Sequence, residues 1–383
     1  MTIRGQRTTK NINQDRRKVD MSERIALLQP SKAPLVVLTK KLNSKSTINP
    51  IFNWMEDDLD ARWGEVDEGS TVGSADNEFG VEDPNIFNVG DIVKVPDTGE
   101  IMRVTNVDTS NDEITCDRGY GTTSAQDIDD GSDIVIIGSA HKEGGSAPEA
   151  LSTKVSTINN YTQIFKTSVK VTKTQEASEL YGGSDRNHQR KKKGIQHSVD
   201  IEKAGLFGEK SEHVSGDEVI RTTAGVLSLI EGNAQTYDAS GELTEDEFEK
   251  EWLEELFRYG NDKKTLFASA RLISIINSWG RDKLHMETGE ETFGLSVYKY
   301  LSAHGELNIV KHPLLENEYS NWGIALDIEN VRWRPLQGRD TSLETNIQGN
   351  DDDYYLDQYL TEGGFEVKLP ETHGILKNVG FPS

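Results

Sequence analysis

Asp185-Arg-Asn-His-Gln-Arg-Lys-Lys-Lys-Gly-Ile-Gln-His-Ser-Val-Asp-Ile-Glu-Lys-Ala-Gly-Leu-Phe-Gly208 is the stretch on which the reading of this chain turns. It sits in a proline-free run from Thr174 to Gly208. Within that run His188, Lys192, Ile195, Val199, Glu202 and Leu206 recur near one face at helical spacing. The spacing predicts one long polar helix over 174–208. Its middle is basic, with Arg186, Arg190, Lys191, Lys192 and Lys193. Such a run is ordinarily a solvated face; its functional alternative is a surface that pairs with acidic residues of a neighbouring subunit.

Upstream of the helix, Phe165, Thr167, Val169 and Val171 alternate within Asn159–Val171 and predict a strand. Downstream, Thr244-Glu-Asp-Glu247 matches a capping box, with Phe248, Trp252 and Leu256 on the apolar side and Gly260 as the stop. Strand-like Lys264–Ala268, a helix at Ala270–Trp279 and a strand at Leu307–Lys311 follow, which makes 214–328 an α/β or α+β lobe. Alternation returns in Ile328–Trp333 and Gly364–Leu369. The expected organisation is one discontinuous lobe, 150–213 plus 329–383, interrupted by an inserted lobe at 214–328.

Charge separates the first third of the chain into two parts. The net charge of -23 over 383 residues excludes a general nucleic-acid reader, which needs a basic surface to displace counterions. Residues 1–50 nevertheless carry eleven Lys or Arg against three Asp or Glu, net +8. They lack periodicity, and Leu35-Val36-Val37-Leu38 looks extended beside Pro30 and Pro34, so 1–48 reads as an arm. Glu56–Asp133 reverses the sign, with 22 Asp or Glu against Arg62, Lys94, Arg103 and Arg118. Within it Asp91–Val95, Ile101–Thr105, Glu113–Cys116 and Asp133–Ile137 are β-like runs separated by turns. They predict a small β-module at about 85–140 inside a long loop, 49–149. Hydrophobic content of 34% is low for a compact chain of this length, which points to extended segments that bury their apolar groups on other copies.

Chemistry-bearing motifs are absent. Cys116 is the single cysteine, so neither an internal disulfide nor a thiolate cluster can form. Gly205-Leu-Phe-Gly208-Glu209-Lys210-Ser211 has the wrong glycine spacing for a phosphate loop, and Glu209 breaks the Gly-Lys pair. The eight histidines include no pair at zinc-ligand spacing. Asp108-Thr-Ser-Asn-Asp112-Glu113 lacks the turn glycine and the distal glutamate of a calcium loop and reads as a hairpin turn, while Asp127–Asp130 and Asp351–Asp353 read as solvated turns. No Gly-x-Ser-x-Gly elbow occurs. The apolar runs Ile25–Leu28 and Leu35–Leu38 are too short for a signal or spanning segment. No catalytic, cofactor-binding or metal residue is assigned, and a soluble, intracellular, non-enzymatic protein is expected.

The order of pieces resembles the Hong Kong 97-like fold of tailed-phage major capsid proteins: basic arm, acidic loop, polar spine helix, inserted lobe, returning strands. Local sequence is similar to one branch of that family in Arg118-Gly-Tyr-Gly-Thr-Thr123, Glu143-Gly-Gly-Ser146, Asn160-Tyr-Thr-Gln-Ile-Phe165, Asp200-Ile-Glu202, Leu206-Phe-Gly208, Arg221-Thr-Thr-Ala-Gly-Val-Leu227 and Glu371-Thr-His-Gly374. The resemblance implies an α+β shell subunit with an N-terminal arm (1–48), an extended E-loop (49–149), a P-domain holding the spine (150–213 and 329–383) and an axial A-domain (214–328). It implies self-assembly as pentamers and hexamers into an icosahedral shell around double-stranded DNA, formed in the host cytoplasm. A portal partner, a separate scaffolding protein or none, possible decoration proteins and no membrane go with it. The charge pattern adds a specific expectation: Arg16, Arg17, Lys18, Arg186, Arg190, Lys191, Lys192 and Lys193 meet Glu56, Asp57, Asp58 and Asp60 of a neighbour. An encapsulin-type cellular shell is the nearest alternative, which the β-insertion disfavours. A fibre or baseplate protein would show repeats or heptads, and a hydrolase a converging site; neither pattern occurs.

Overall fold

The computed structural model describes residues 33–57, 59, 61–144, 155–178, 183–216, 218–279, 287–288 and 297–380. Two compact units result, Met55–Thr157 and a larger one formed by the chain before and after it.

The smaller unit is an antiparallel six-stranded sheet in the order Trp63–Glu65, Asp133–Ser139, Asp91–Lys94, Ile101–Asp108, Glu113–Asp117, Glu78–Gly80. Alternation sends Val93, Met102, Val104, Ile114, Cys116, Ile134 and Ile136 into one core with Phe79 and Phe87. The four central strands are the ones predicted. The module starts at Trp63 and not near residue 85, because its two outer strands are three residues each, too short for a period-2 pattern to register. Asp108–Glu113 forms the hairpin turn expected of it, with Asp112 at φ +57 and Asp108 Oδ1 accepting from Ser110 N at 2.9 Å. Asp127 and Asp130 do more than face water: they accept from the backbone N–H of Ser74, Glu68 and Gly69 and fold the loop at 67–76 onto the module.

In the larger unit, the 14-residue strand Tyr354–Val367 pairs along one edge with Gln163–Thr172. Its other edge pairs with Val331–Pro335 and Ser342–Glu344. The second sheet has seven strands, in the order Gln235–Glu242, Gly374–Gly380, Gly323–Leu326, Lys263–Ala268, Glu306–Lys311, Val297–Leu301, Glu287–Thr288. Helix Ala270–Trp279 and a helical run from Glu245 to Leu256 pack on it through Leu272, Ile275, Phe248 and Trp252. The capping box is present in both directions: Thr244 Oγ1 accepts from Glu247 N, and the Glu247 carboxylate accepts from Thr244 N.

Four expectations are corrected. The terminal strand Gly374–Gly380 pairs with Gln235–Glu242 and Gly323–Leu326, so it joins the inserted lobe's sheet and not that of 150–213. Leu35–Leu38 is helical, within Pro34–Leu42; Pro34 occupies the first turn, where its missing N–H costs nothing. Ile328–Asn330 is a 3-10 turn capped by Asp327, and the strand starts only at Val331. The run 174–208 is two helices, Lys173–Ala177 and Asp185–Phe207. Gly183 (φ +86) and Ser184, whose Oγ accepts from Asn187 N, restart the second; 179–182 lie outside the described residues.

Candidate assembly surfaces

The spine helix Asp185–Phe207 buries His197, Ile201, Glu202, Gly205 and Leu206. This face is turned from the one marked by sequence spacing, since Ile195 and Val199 are half-buried and Lys192 is exposed. Gly205 shows why: a Cβ there would lie 2.7 Å from the Phe365 ring, so the helix sits against Tyr354–Val367 as closely as glycine permits. His197 bridges the two strands beneath, with Nδ1 2.9 Å from Thr167 Oγ1 and Nε2 2.7 Å from Thr361 Oγ1.

The five spine cations divide. Arg186 Nε and Nη2 donate to Asp357 at 2.8 and 2.6 Å, and Arg190 Nε donates to the same carboxylate at 2.8 Å. Asp357 is fully buried. Burial alone would raise its pKa, but the two guanidinium groups and Asn346 N outweigh it and hold the carboxyl well below the usual range. Arg186 and Arg190 therefore each hold a buried carboxylate of their own chain. Lys191 and Lys192 are exposed and Lys193 half-buried, with no ion pair among the described residues. Glu56 is half-buried at the end of strand Ile51–Glu56 and Asp57 is exposed. Arg16, Arg17, Lys18, Asp58 and Asp60 lie outside the described residues.

Glu202 is the residue that sequence reading undervalued. Its buried carboxylate accepts from Leu35 N and Val36 N, both at 2.7 Å, and from His312 Nε2 at 2.7 Å. Leu314 N donates to His312 Nδ1 at 3.2 Å, which makes Nε2 the donor toward Glu202. One spine carboxylate thus caps the N-terminus of helix Pro34–Leu42, where unpaired N–H groups favour negative charge, and ties that helix to the spine. The signal was a charged residue beside Ile201 on the apolar side of a helix. Asn160 works similarly: Nδ2 donates to Phe365 O and Ala224 O, and Oδ1 accepts from Ala224 N. No group of three or more His, Cys, Asp or Glu among the described residues is placed to hold a metal ion.

The sequence model of the SU10 major capsid protein family matches residues 2–380. The chain belongs to this family. A curated relative, the major capsid protein of Pseudomonas phage PaMx41, is 25% identical over 269 residues, covering 66% of this chain and 63% of the relative. The match thus spans under two thirds of that protein's length. Among solved structures, the capsid of a native GTA particle aligns with TM-score 0.52 at 8% identity, over 97% of this chain and 98% of the other. The holo-SrpI encapsulin complex of Synechococcus elongatus PCC 7942 gives TM-score 0.44 at 14% identity, over 60% and 80%. The fold of this SU10-family chain is the α+β Hong Kong 97-like capsid fold.

Proposed function

We propose that copies of this chain assemble as pentamers and hexamers into a closed icosahedral shell that encloses double-stranded DNA, and that its role is structural and not catalytic. The observation that carries this reading is the family match across nearly the whole chain. Residues 1–48 act as the arm, 49–149 as the extended loop bearing the β-module, and 150–213 with most of 329–383 as the P-domain. The A-domain is 214–328 completed by the terminal strand. Shell formation takes place in the host cytoplasm, with a portal protein and, where used, separate scaffolding or decoration proteins. DNA is held by confinement, since an acidic chain repels phosphate.

A shell subunit needs contacts weak enough to correct errors and numerous enough to hold the lattice. Arms that settle on a neighbour during assembly meet that need. Arg16, Arg17 and Lys18 of one copy against Glu56, Asp57, Asp58 and Asp60 of the next would set register and rate more than affinity. Electron microscopy of the purified protein tests the reading. Closed shells, or rings of five and six, are expected; a stable monomer at high concentration overturns it.

A further inference from the structure

Immediately after the spine helix, Ser211–Ser215 and Glu218–Thr222 pair as an antiparallel ribbon that belongs to neither large sheet. All five residues of the first strand are exposed. Val214 is 57%, Val219 45% and Ile220 60% exposed. Val214 faces Val219 across the ribbon, while Ile220 is paired with His213 on the opposite side, so both faces carry apolar groups. A two-stranded ribbon covered on neither face is marginal in water.

Its root is the reverse. Gly225 N donates to Gly208 O at 2.7 Å, and a Cβ on Gly225 would lie 2.7 Å from Gly208 N. Thr222 Oγ1 donates to Glu209 O, Thr223 N donates to Gln163 Oε1, and Asn160 holds Ala224 by both its N–H and its carbonyl. The ribbon is thus held firmly at its base and left uncovered along its length.

One flank of the same spine helix, beside its buried side, is partly open. His188, Lys192, Ile195, Val199 and Lys203 fall on one stripe, with Lys192 and Lys203 exposed, Ile195 and Val199 half-buried between them, and Asp200 to one side. From Lys192 to Lys203 the helix rises about 16 Å, and each ribbon strand is about 15 Å long. The stripe is cationic around an apolar centre; the ribbon exposes Val214, Val219 and Ile220, and Asp217 and Glu218 follow its first strand in sequence. Arg221, the ribbon's own cation, is taken up by Glu212 at 2.7 Å. Neither surface uses the other within the chain, since the ribbon is uncovered and Lys192 carries no ion pair among the described residues.

We infer that the ribbon Ser211–Thr222 of one copy lies along the Lys192–Lys203 stripe of a second copy. This rests on the shell reading and deepens it, and it gives the spine lysines a partner other than Glu56–Asp60. Ile220, on the face of the ribbon that also carries Glu218, packs on Ile195, Val199 and the aliphatic stems of the lysines, and Glu218 meets one lysine end. Two different patches on every copy make a head-to-tail contact, and repeated rotation about such a contact closes a ring.

Charge exchange tests it on the full chain. Lys192→Glu with Lys203→Glu, and separately Asp217→Lys with Glu218→Lys, should each lower shell yield by about tenfold or more while thermal unfolding of the free subunit stays unchanged. Combining the four substitutions should restore shells. In wild-type shells, the amides of 211–222 should exchange with deuterium far more slowly than in free subunits. Wild-type yield from either pair alone, no recovery in the combined variant, or equally fast exchange in shells would overturn the contact and leave the shell reading standing. Failure of the wild-type chain to form any shell would remove both.

Discussion

At the scale of single residues, Asp357 decides what the basic spine is for. With Arg186 and Arg190 both donating to it, removing the carboxylate strands two guanidinium groups over a buried site. Breaking a buried pair from one side costs about 3–5 kcal/mol. Asp357→Ala should lower the denaturant midpoint accordingly, with the slope unchanged; a loss under about 1 kcal/mol would mean the arginines find water instead. The pH dependence follows from the depressed carboxyl. As pH falls, the unfolded chain takes up this proton near 3.9 while the folded chain resists, so the contribution is present above about pH 4 and lost below it. His373 acts in a separate window. Burial pushes it down to about 4, with Nδ1 accepting from Asp327 N and Nε2 donating to Lys368 O. The unfolded imidazole protonates near 6.5, so stability should fall as pH drops from about 6.5 to 4, by on the order of 3 kcal/mol. Unfolding free energy measured across pH 4–7 should show this slope in wild type, and His373→Phe should flatten it.

At the scale of elements, one stretch of the family resemblance, Arg118–Thr123, acquires a physical role. Arg118 holds Glu100 through two N–H···O contacts of 2.9 Å, and its other donors reach Gly73 O, Asp76 O and Gln126 O. Burial would raise the Glu100 pKa, but Arg118 with the amides of Gln126 and Gly119 lowers it. One buried pair therefore fastens the loops at 73–76 and 119–126 to the β-module. Arg118→Ala should destabilise Met55–Thr157 by about 3–5 kcal/mol, seen as faster proteolysis within 67–76 and 119–126. Gly205→Ala tests the helix instead. Alanine gains about 1 kcal/mol of helix propensity, yet its methyl meets Phe365, so net destabilisation is expected; a stabilised variant would show that the helix can shift away. These cases also show what sequence could convey. The four central strands of the β-module, the strands at Gln163–Thr172, Lys263–Ala268 and Glu306–Lys311, the capping box at Thr244 and helix Ala270–Trp279 were legible because period and cap are local signals, whereas Gln235–Glu242 and Gly374–Gly380 gave no such pattern. The buried face of the spine was not, since it is set by two glycines against Tyr359 and Phe365, more than 150 residues away. Helix Pro34–Leu42 was missed for the same reason: its N-terminus is capped by Glu202, and β-branched Val36 and Val37 gave the opposite local cue. The partners of Arg186 and Arg190 were hidden likewise, because Asp357 lies in a strand whose position depends on the whole sheet.

For the whole molecule, the question is whether charge or apolar burial holds copies together. Residues 1–50 are net +8 while the rest of the chain is net -31, and the proposed attraction between the arm and a neighbour draws on that asymmetry. Each exposed pair contributes at most about 1 kcal/mol, and ionic screening shortens its reach from about 10 Å at 0.1 M salt to about 3 Å at 1 M. The apolar contact proposed for Ile220 responds oppositely, because it depends on area removed from water. Raising salt from 0.1 to 1 M should therefore slow the appearance of shells in a light-scattering time course while leaving preformed shells intact. Should preformed shells dissolve at 1 M salt, electrostatic pairing would be holding the lattice, and the ribbon could contribute little. Should the assembly rate ignore salt, the basic arm would play no part in bringing copies together, and its charge would need a different partner.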